Sequence, residues 1–273
     1  MGKEQLAEFA PNFEGNASEV LFGRLHNEKI RNQIIDLLFQ GEQFREGTFI
    51  EKLKEDEKGE LVFDDSNEPI VEAKVPYTPL TREEIEQRYD ETLDGIESAT
   101  EIAYAQNSHD TGSSETMYIG AVAPWSGKRF TDKQMNIVEA HEKGHRIRHY
   151  VGTFFDEHFK QGFDFSNVPY GEKEAAIFKK ALPLEDQDKS TDEVREMFFD
   201  YLLMPMELTE RMSQIKNYYG MSSDEIFTKA HLDYARKYYI SDTDMDNGMT
   251  QFFQAITPEK EEAFLELVNS VGV

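Results

Sequence analysis

The chain has 273 residues, no cysteine, and a formal charge of −25 from 29 basic and 54 acidic residues. Disulfides and thiolate metal ligands are therefore excluded, and general nucleic-acid binding is disfavoured, because phosphate contacts need positive surface. No apolar run reaches the roughly 18 residues of a membrane span, and the N-terminus lacks the apolar segment of a secretory signal. The expectation is a soluble, cytoplasmic protein without a membrane or direct nucleic-acid partner, whose acidity serves solubility or attracts a basic protein.

Residues 1 to about 20 read as a mobile tail. Residues 25–40, "LHNEKIRNQIIDLLFQ", predict a helix with Ile30, Ile34, Leu37 and Leu38 on one face. Residues 51–77 are acidic and loop-like, with a hairpin expected from Glu60–Phe63 and Ile70–Ala73. Thr81 and Glu84 form a capping-box pattern that starts a helix. Next come the strand-like runs "TEIAYAQ" and "ETMYIGAVAP". The turn formers "NSHDTGSS" between them predict a β-hairpin.

Thr131 and Gln134 make a second capping-box pattern, opening a helix through "FTDKQMNIVEAHEKGHRIRHY". A short helix is expected near "GEKEAAIFKKAL", and a longer one from Ser190 that Pro205 bends or ends. The remainder reads as short helices. This order predicts an α+β fold, a small antiparallel sheet packed against helices. Its expected divisions are an acidic region (1–80), the core (81–206) and a C-terminal helical segment (207–273).

His141-Glu142-Lys143-Gly144-His145 is an H-E-x-x-H motif. Residues four apart share a helix face, so both imidazoles can reach one ion, expected to be Zn2+. Glu142 is placed to act as general base on a water that the ion acidifies. Gly144 costs about 1 kcal/mol relative to alanine inside a helix, so something requires it, such as close packing beside the metal. His149 lies eight residues beyond His141, about 12 Å of helix rise, which suits a supporting role better than ligation.

Without cysteine, a carboxylate from another helix is the natural third ligand. "STDEVREMFFDYLLMP" offers candidates. Glu193 is explained by a capping box with Ser190, and Asp192 suits the helix dipole. Glu196 has no such local reason, and Asp200 one turn on could orient a ligand histidine. Glu196 is thus the first choice, Asp192 the alternative, with His149 and Asp200 as supporting residues.

The stretches "RFTDKQMNIVEAHEKGHRIRH" and "YLLMP" resemble the ImmA/IrrE group of HExxH metallopeptidases. Gly144, His149 and Leu202 to Pro205 match that family's pattern, and "YYGMSSDEIFTKA" is similar to its segment after the proline. The resemblance covers roughly residues 97–235. It implies zinc-dependent limited cleavage of a regulatory protein such as a transcriptional repressor. Its register would put the third ligand at Asp192 rather than Glu196. The alternative from another class is a non-catalytic metal-containing regulator that binds a basic partner; a third is an acidic decoy competing with DNA.

Further expectations are weaker in pattern. Tyr150, Tyr201 and His231 are candidate donors to a developing oxyanion. Trp125 and Phe130 could frame a cleft, and Met117 to Val122 could hold a peptide by strand addition. "DTDMDNG" lacks the glycine and glutamate positions of a calcium loop and reads as a turn.

Overall fold

The structure, a computed structural model, describes residues 11, 15–56, 58, 60–64, 68–98, 101–105, 116–120, 128–148 and 161–270. It is α+β, mostly helical with a small antiparallel sheet. No helix among the described residues is long and apolar enough to cross a membrane.

Two helices open the described chain: α1 (Ala17–Leu25) and α2 (Glu28–Phe44). The side chains of Asn16 and Asn27 accept backbone N–H groups of their first turns, which starts each helix. Helix α1 begins inside the segment read as a tail. Residues 1–10 lie outside the described residues. Helix α3 (Arg82–Ser98) starts at the expected box: the Thr81 N–H donates to Glu84 Oε2 at 2.7 Å. Helix α4 (Asp132–Arg148) does the same: the Thr131 N–H donates to Gln134 Oε1 at 2.9 Å. These four helices share one apolar cluster, including Leu21, Ile34, Tyr89, Leu93, Val138 and Ile147. That cluster runs across residue 80, so the N-terminal helices pack on the helix that carries the histidines.

Between α2 and α3 the chain leaves the helices. Strands β1 (Phe49–Leu53) and β2 (Val71–Pro76) pair antiparallel, with Phe49 opposite Pro76 and Ile50 opposite Val75. Beyond them lies a three-way junction. The Val62 N–H donates to the Lys54 carbonyl, Ile70 to Val62, and Lys54 to Ile70, at 2.8–2.9 Å, closing a ring. Two short turns branch from it, closed by Asp56 N–H to Glu60 O and Asp64 N–H to Glu68 O. The expected Glu60–Phe63 pairing with Ile70–Ala73 is thus reduced to the bond from Ile70 to Val62, with Phe63 bridging Pro69 just beyond it. Val71 instead pairs with β1.

Strands β3 (Glu101–Ala105) and β4 (Thr116–Gly120) pair parallel, Glu101 opposite Thr116 and Ala105 opposite Gly120. The expected hairpin is therefore corrected. A tight two-residue turn would impose antiparallel pairing. The ten residues between these strands instead reach about 33 Å, enough to return along a strand of roughly 17 Å.

The C-terminal half holds α5 (Glu172–Phe178), α6 (Thr191–Leu203), α7 (Pro205–Tyr219), α8 (Lys229–Thr243), α9 (Met249–Ala255) and α10 (Glu261–Ser270). The Ser190–Glu193 box starts α6, with the Ser190 N–H 2.9 Å from Glu193 Oε2. Pro205 occupies the first turn of α7, where its missing N–H costs nothing, so it ends one helix and begins the next. A second apolar cluster includes Phe199, Leu202, Leu208, Met212, Phe252 and Phe264.

Helix α7 lies between the two clusters and is buried on almost every side. Leu208, Met212 and Ile215 feed the C-terminal core. Its polar side chains turn inward. Arg24 of α1, 1% exposed, donates to Ser213 Oγ at 2.9 Å and Asn217 Oδ1 at 2.7 Å. Burial together with the nearby Arg148 charge lowers the Arg24 pKa to about 9. The supposed boundary at 206/207 falls at the start of this central helix.

Candidate metal centre

His141 and His145 project from the same face of α4, as four-residue spacing requires. Their Nε2 atoms are 3.1 Å apart, with the rings nearly perpendicular at 86°. The third group is Glu207, in the first turn of α7. Its Oε1 lies 3.1 Å from His145 Nε2 and its Oε2 3.5 Å from His141 Nε2. Ligand atoms about 2.0–2.2 Å from a tetrahedral zinc sit roughly 3.3–3.6 Å from one another, which the separation of the two nitrogens approaches, while the carboxylate offers a different oxygen to each ring. One donor atom from each residue falls within a 4.8 Å group, and His141 and Glu207 are buried.

Two imidazole nitrogens facing each other across 3.1 Å either share a hydrogen, one ring donating N–H to the other's lone pair, or hold a cation between them. Burial disfavours a charged His145, but the hydrogen bond to Glu207 and the charges of Glu207, Glu210 and Glu142 outweigh it and raise its pKa to about 9. Burial also works against an ionised Glu207. Hydrogen bonds from both histidines and the Arg211 charge overcome it, holding the carboxyl well below the usual range. The site fits a divalent cation.

Supporting groups fix the ligands. His141 Nδ1 is 3.1 Å from Gln214 Oε1, and Gln214 Nε2 donates to the Tyr239 hydroxyl, which is fully buried. With an ion bound, donation of the Nδ1–H to Gln214 would leave the His141 Nε2 lone pair facing that ion. Arg211 lies one turn after Glu207, 3.5 Å from Oε2, and its other terminal nitrogen donates to the Asn247 carbonyl at 2.8 Å. Asn247 and Gly248 (φ +82°) form the turn expected in "DTDMDNG", which thus serves to hold Arg211. Among the described residues, His145 Nδ1 is buried without a hydrogen-bond partner.

Gly144 has a specific neighbour. A Cβ there would stand 1.9 Å from Glu210 Oε2 and 2.9 Å from an Arg148 nitrogen. Glu210 and Arg148 form a buried two-pronged ion pair, with Arg148 Nε 2.9 Å from Oε1 and a second bond from its terminal nitrogen to Oε2. The pair joins α4 to α7 one turn beyond each ligand. The close packing expected beside the metal is instead against this clamp.

The structure does not bring the expected third ligands to the histidines. Asp192, Glu196 and Asp200 are all exposed on α6, while Glu207, two residues beyond Pro205, takes the position. The α6 helix turns Val194, Phe199 and Leu202 inward, and that rotation leaves its acidic side in water. Glu207 was missed because the carboxylate was sought within "STDEVREMFFDYLLMP", which ends two residues before it. The available signal was a carboxylate in the first turn after "LLMP" with Arg and Gln on the same face.

Glu142 follows His141 and is half-buried, within electrostatic reach of His145. Of the candidate oxyanion donors, Tyr201 comes to the site. The residue is 37% exposed, but desolvation of the phenol, the Glu207 charge and a hydrogen bond to Glu207 push its pKa well up, so it keeps its proton. His231 does not: its Nδ1 accepts the Thr228 N–H at 3.0 Å and caps α8. Phe130 packs against the N-terminal core. Tyr150, His149, Trp125 and the side chains of Met117 to Val122 lie outside the described residues. No family model, curated protein or solved structure matches this chain.

Proposed function

We propose that this chain is a zinc-dependent peptidase with a zincin-like core, making limited cuts in a regulatory protein such as a transcriptional repressor. The observation that carries the reading is the buried convergence of His141, His145 and Glu207, with Glu142 immediately beside it. The choice of substrate rests on the resemblance of "AHEKGHRIRH" and "LLMP" to the ImmA/IrrE group.

When bound, the ion supplies Lewis acidity that polarises a carbonyl and lowers the pKa of water toward about 7. The protein supplies the rest. Gln214 fixes the His141 tautomer, and Arg211 aims the Glu207 carboxylate. Glu142 accepts the proton of the attacking water and returns it to the leaving amine. Tyr201, protonated and beside Glu207, would turn its hydroxyl hydrogen from Glu207 to the oxyanion.

The test combines metal analysis with hydrolysis of a quenched fluorescent peptide library. Glu142→Gln should retain zinc and lose hydrolysis. Wild-type protein that holds zinc yet cuts nothing, or Glu142→Gln cutting as well as wild type, would reject the enzymatic reading in favour of a metal-containing regulator.

A further inference from the structure

Between Gly41 and Ile85 no described residue is buried. The arm built on β1 and β2 therefore stands off from both cores. It nonetheless carries Phe49, Ile50, Leu61, Phe63 and Val71, each 40–63% exposed. These are half of the ten large apolar side chains most exposed among the described residues, gathered in one short stretch.

The arm is ordered by its own hydrogen bonds. The ring through Lys54, Val62 and Ile70 joins stem and turns. Asp56 Oδ1 accepts the Lys58 and Glu60 N–H groups, and Asp64 Oδ1 accepts that of Glu68. A two-stranded element without a core is marginal in water by itself, so apolar side chains displayed on one gain most when something covers them.

Charge selects what that is. Residues 48–76 hold nine acidic against four basic residues. Two of those lysines are already paired across the strands, Lys52 with Glu72 and Lys74 with Glu51. An acidic arm on a chain of charge −25 repels anionic membranes, nucleic acid and a second copy of itself. A cationic protein surface is attracted by the carboxylates and covers the phenylalanines.

We propose that the 48–76 arm is a docking element for a basic protein segment with interleaved apolar residues, held through Phe49 and Phe63 and steered by the flanking carboxylates. The inference does not depend on the metal centre, and its test reads binding alone. The probe is a dye-labelled peptide alternating lysine and leucine, titrated against the full chain by fluorescence anisotropy. Phe49→Ser/Phe63→Ser replaces exposed side chains and should weaken binding about tenfold or more. The control Leu184→Ser/Ile226→Ser, altering exposed apolar side chains elsewhere, should leave it unchanged. Equal affinity of wild type and the arm variant would overturn the proposal. So would a wild-type dimer in sedimentation that the arm variant makes monomeric, because the occupant would then be a second copy.

Discussion

Gln214 Oε1 lies 3.1 Å from His141 Nδ1, across 73 residues of sequence, and the same amide reaches on to Tyr239. One buried side chain thus ties the H-E-x-x-H helix to two C-terminal helices and sets which imidazole nitrogen faces the centre. Gln214→Leu should leave the protein folded and weaken zinc binding about 10–100-fold, the usual effect of losing such a partner. Competition with a chromogenic chelator measures it. Unchanged affinity would show that the hydrogen bond does not tune the ligand.

Removing a ligand should cost more than removing its support. Glu207→Ala should lower zinc affinity beyond the roughly 100-fold bound for supporting residues. Glu196→Ala and Asp192→Ala, both exposed, should leave metal content as in wild type. Metal analysis after dialysis separates these outcomes. Zinc lost from Glu196→Ala and kept by Glu207→Ala would reverse the ligand assignment.

Gly144→Ala pits helix propensity against space. Alanine is favoured by about 1 kcal/mol in a helix interior. Here the added carbon meets the Glu210 carboxylate, which is held by Arg148 and cannot swing away freely. Overpacking of this kind costs about 1–3 kcal/mol, and disturbing a buried ion pair adds to it. The expected net is a loss of about 2 kcal/mol and a fall in Tm on the order of 5 °C. A rise in Tm on thermal denaturation would contradict the packing described.

The pH dependence has opposite signs with and without metal. In the metal-free protein the raised His145 pKa contributes stability that is full below the unfolded value of 6.5 and lost as pH rises through about 9. The depressed Glu207 pKa contributes stability present above the unfolded value of 4.5 and lost at lower pH. Zinc must displace the His145 proton, so its affinity should rise about tenfold per pH unit up to about 9. Calorimetry in buffers of different ionisation enthalpy should find about one proton released near pH 7. Zero release would show that His145 is already neutral.

Tyr201→Phe removes the proposed oxyanion donor and leaves the ring in place. Turnover should fall about 100- to 1,000-fold, the range for losing one such donor, with zinc content unchanged. Full activity in the variant would remove Tyr201 from the mechanism.

Local chemistry made much of this protein legible from its sequence. The boxes at Thr81, Thr131 and Ser190 start α3, α4 and α6 because each satisfies free N–H groups within three residues. The spacing of His141 and His145 places both rings on one face, whatever surrounds the helix. Pairing between strands was less legible: the segment between β3 and β4 is long enough to permit either direction, and the structure takes the parallel one. Which carboxylate meets the two histidines was decided by tertiary structure alone. Polar residues of α7 are buried because Arg24 and Arg148 meet them from α1 and α4, and the His141 ring meets them too. Periodicity reports which residues share a face. Only the packed neighbours determine whether that face meets water or a metal.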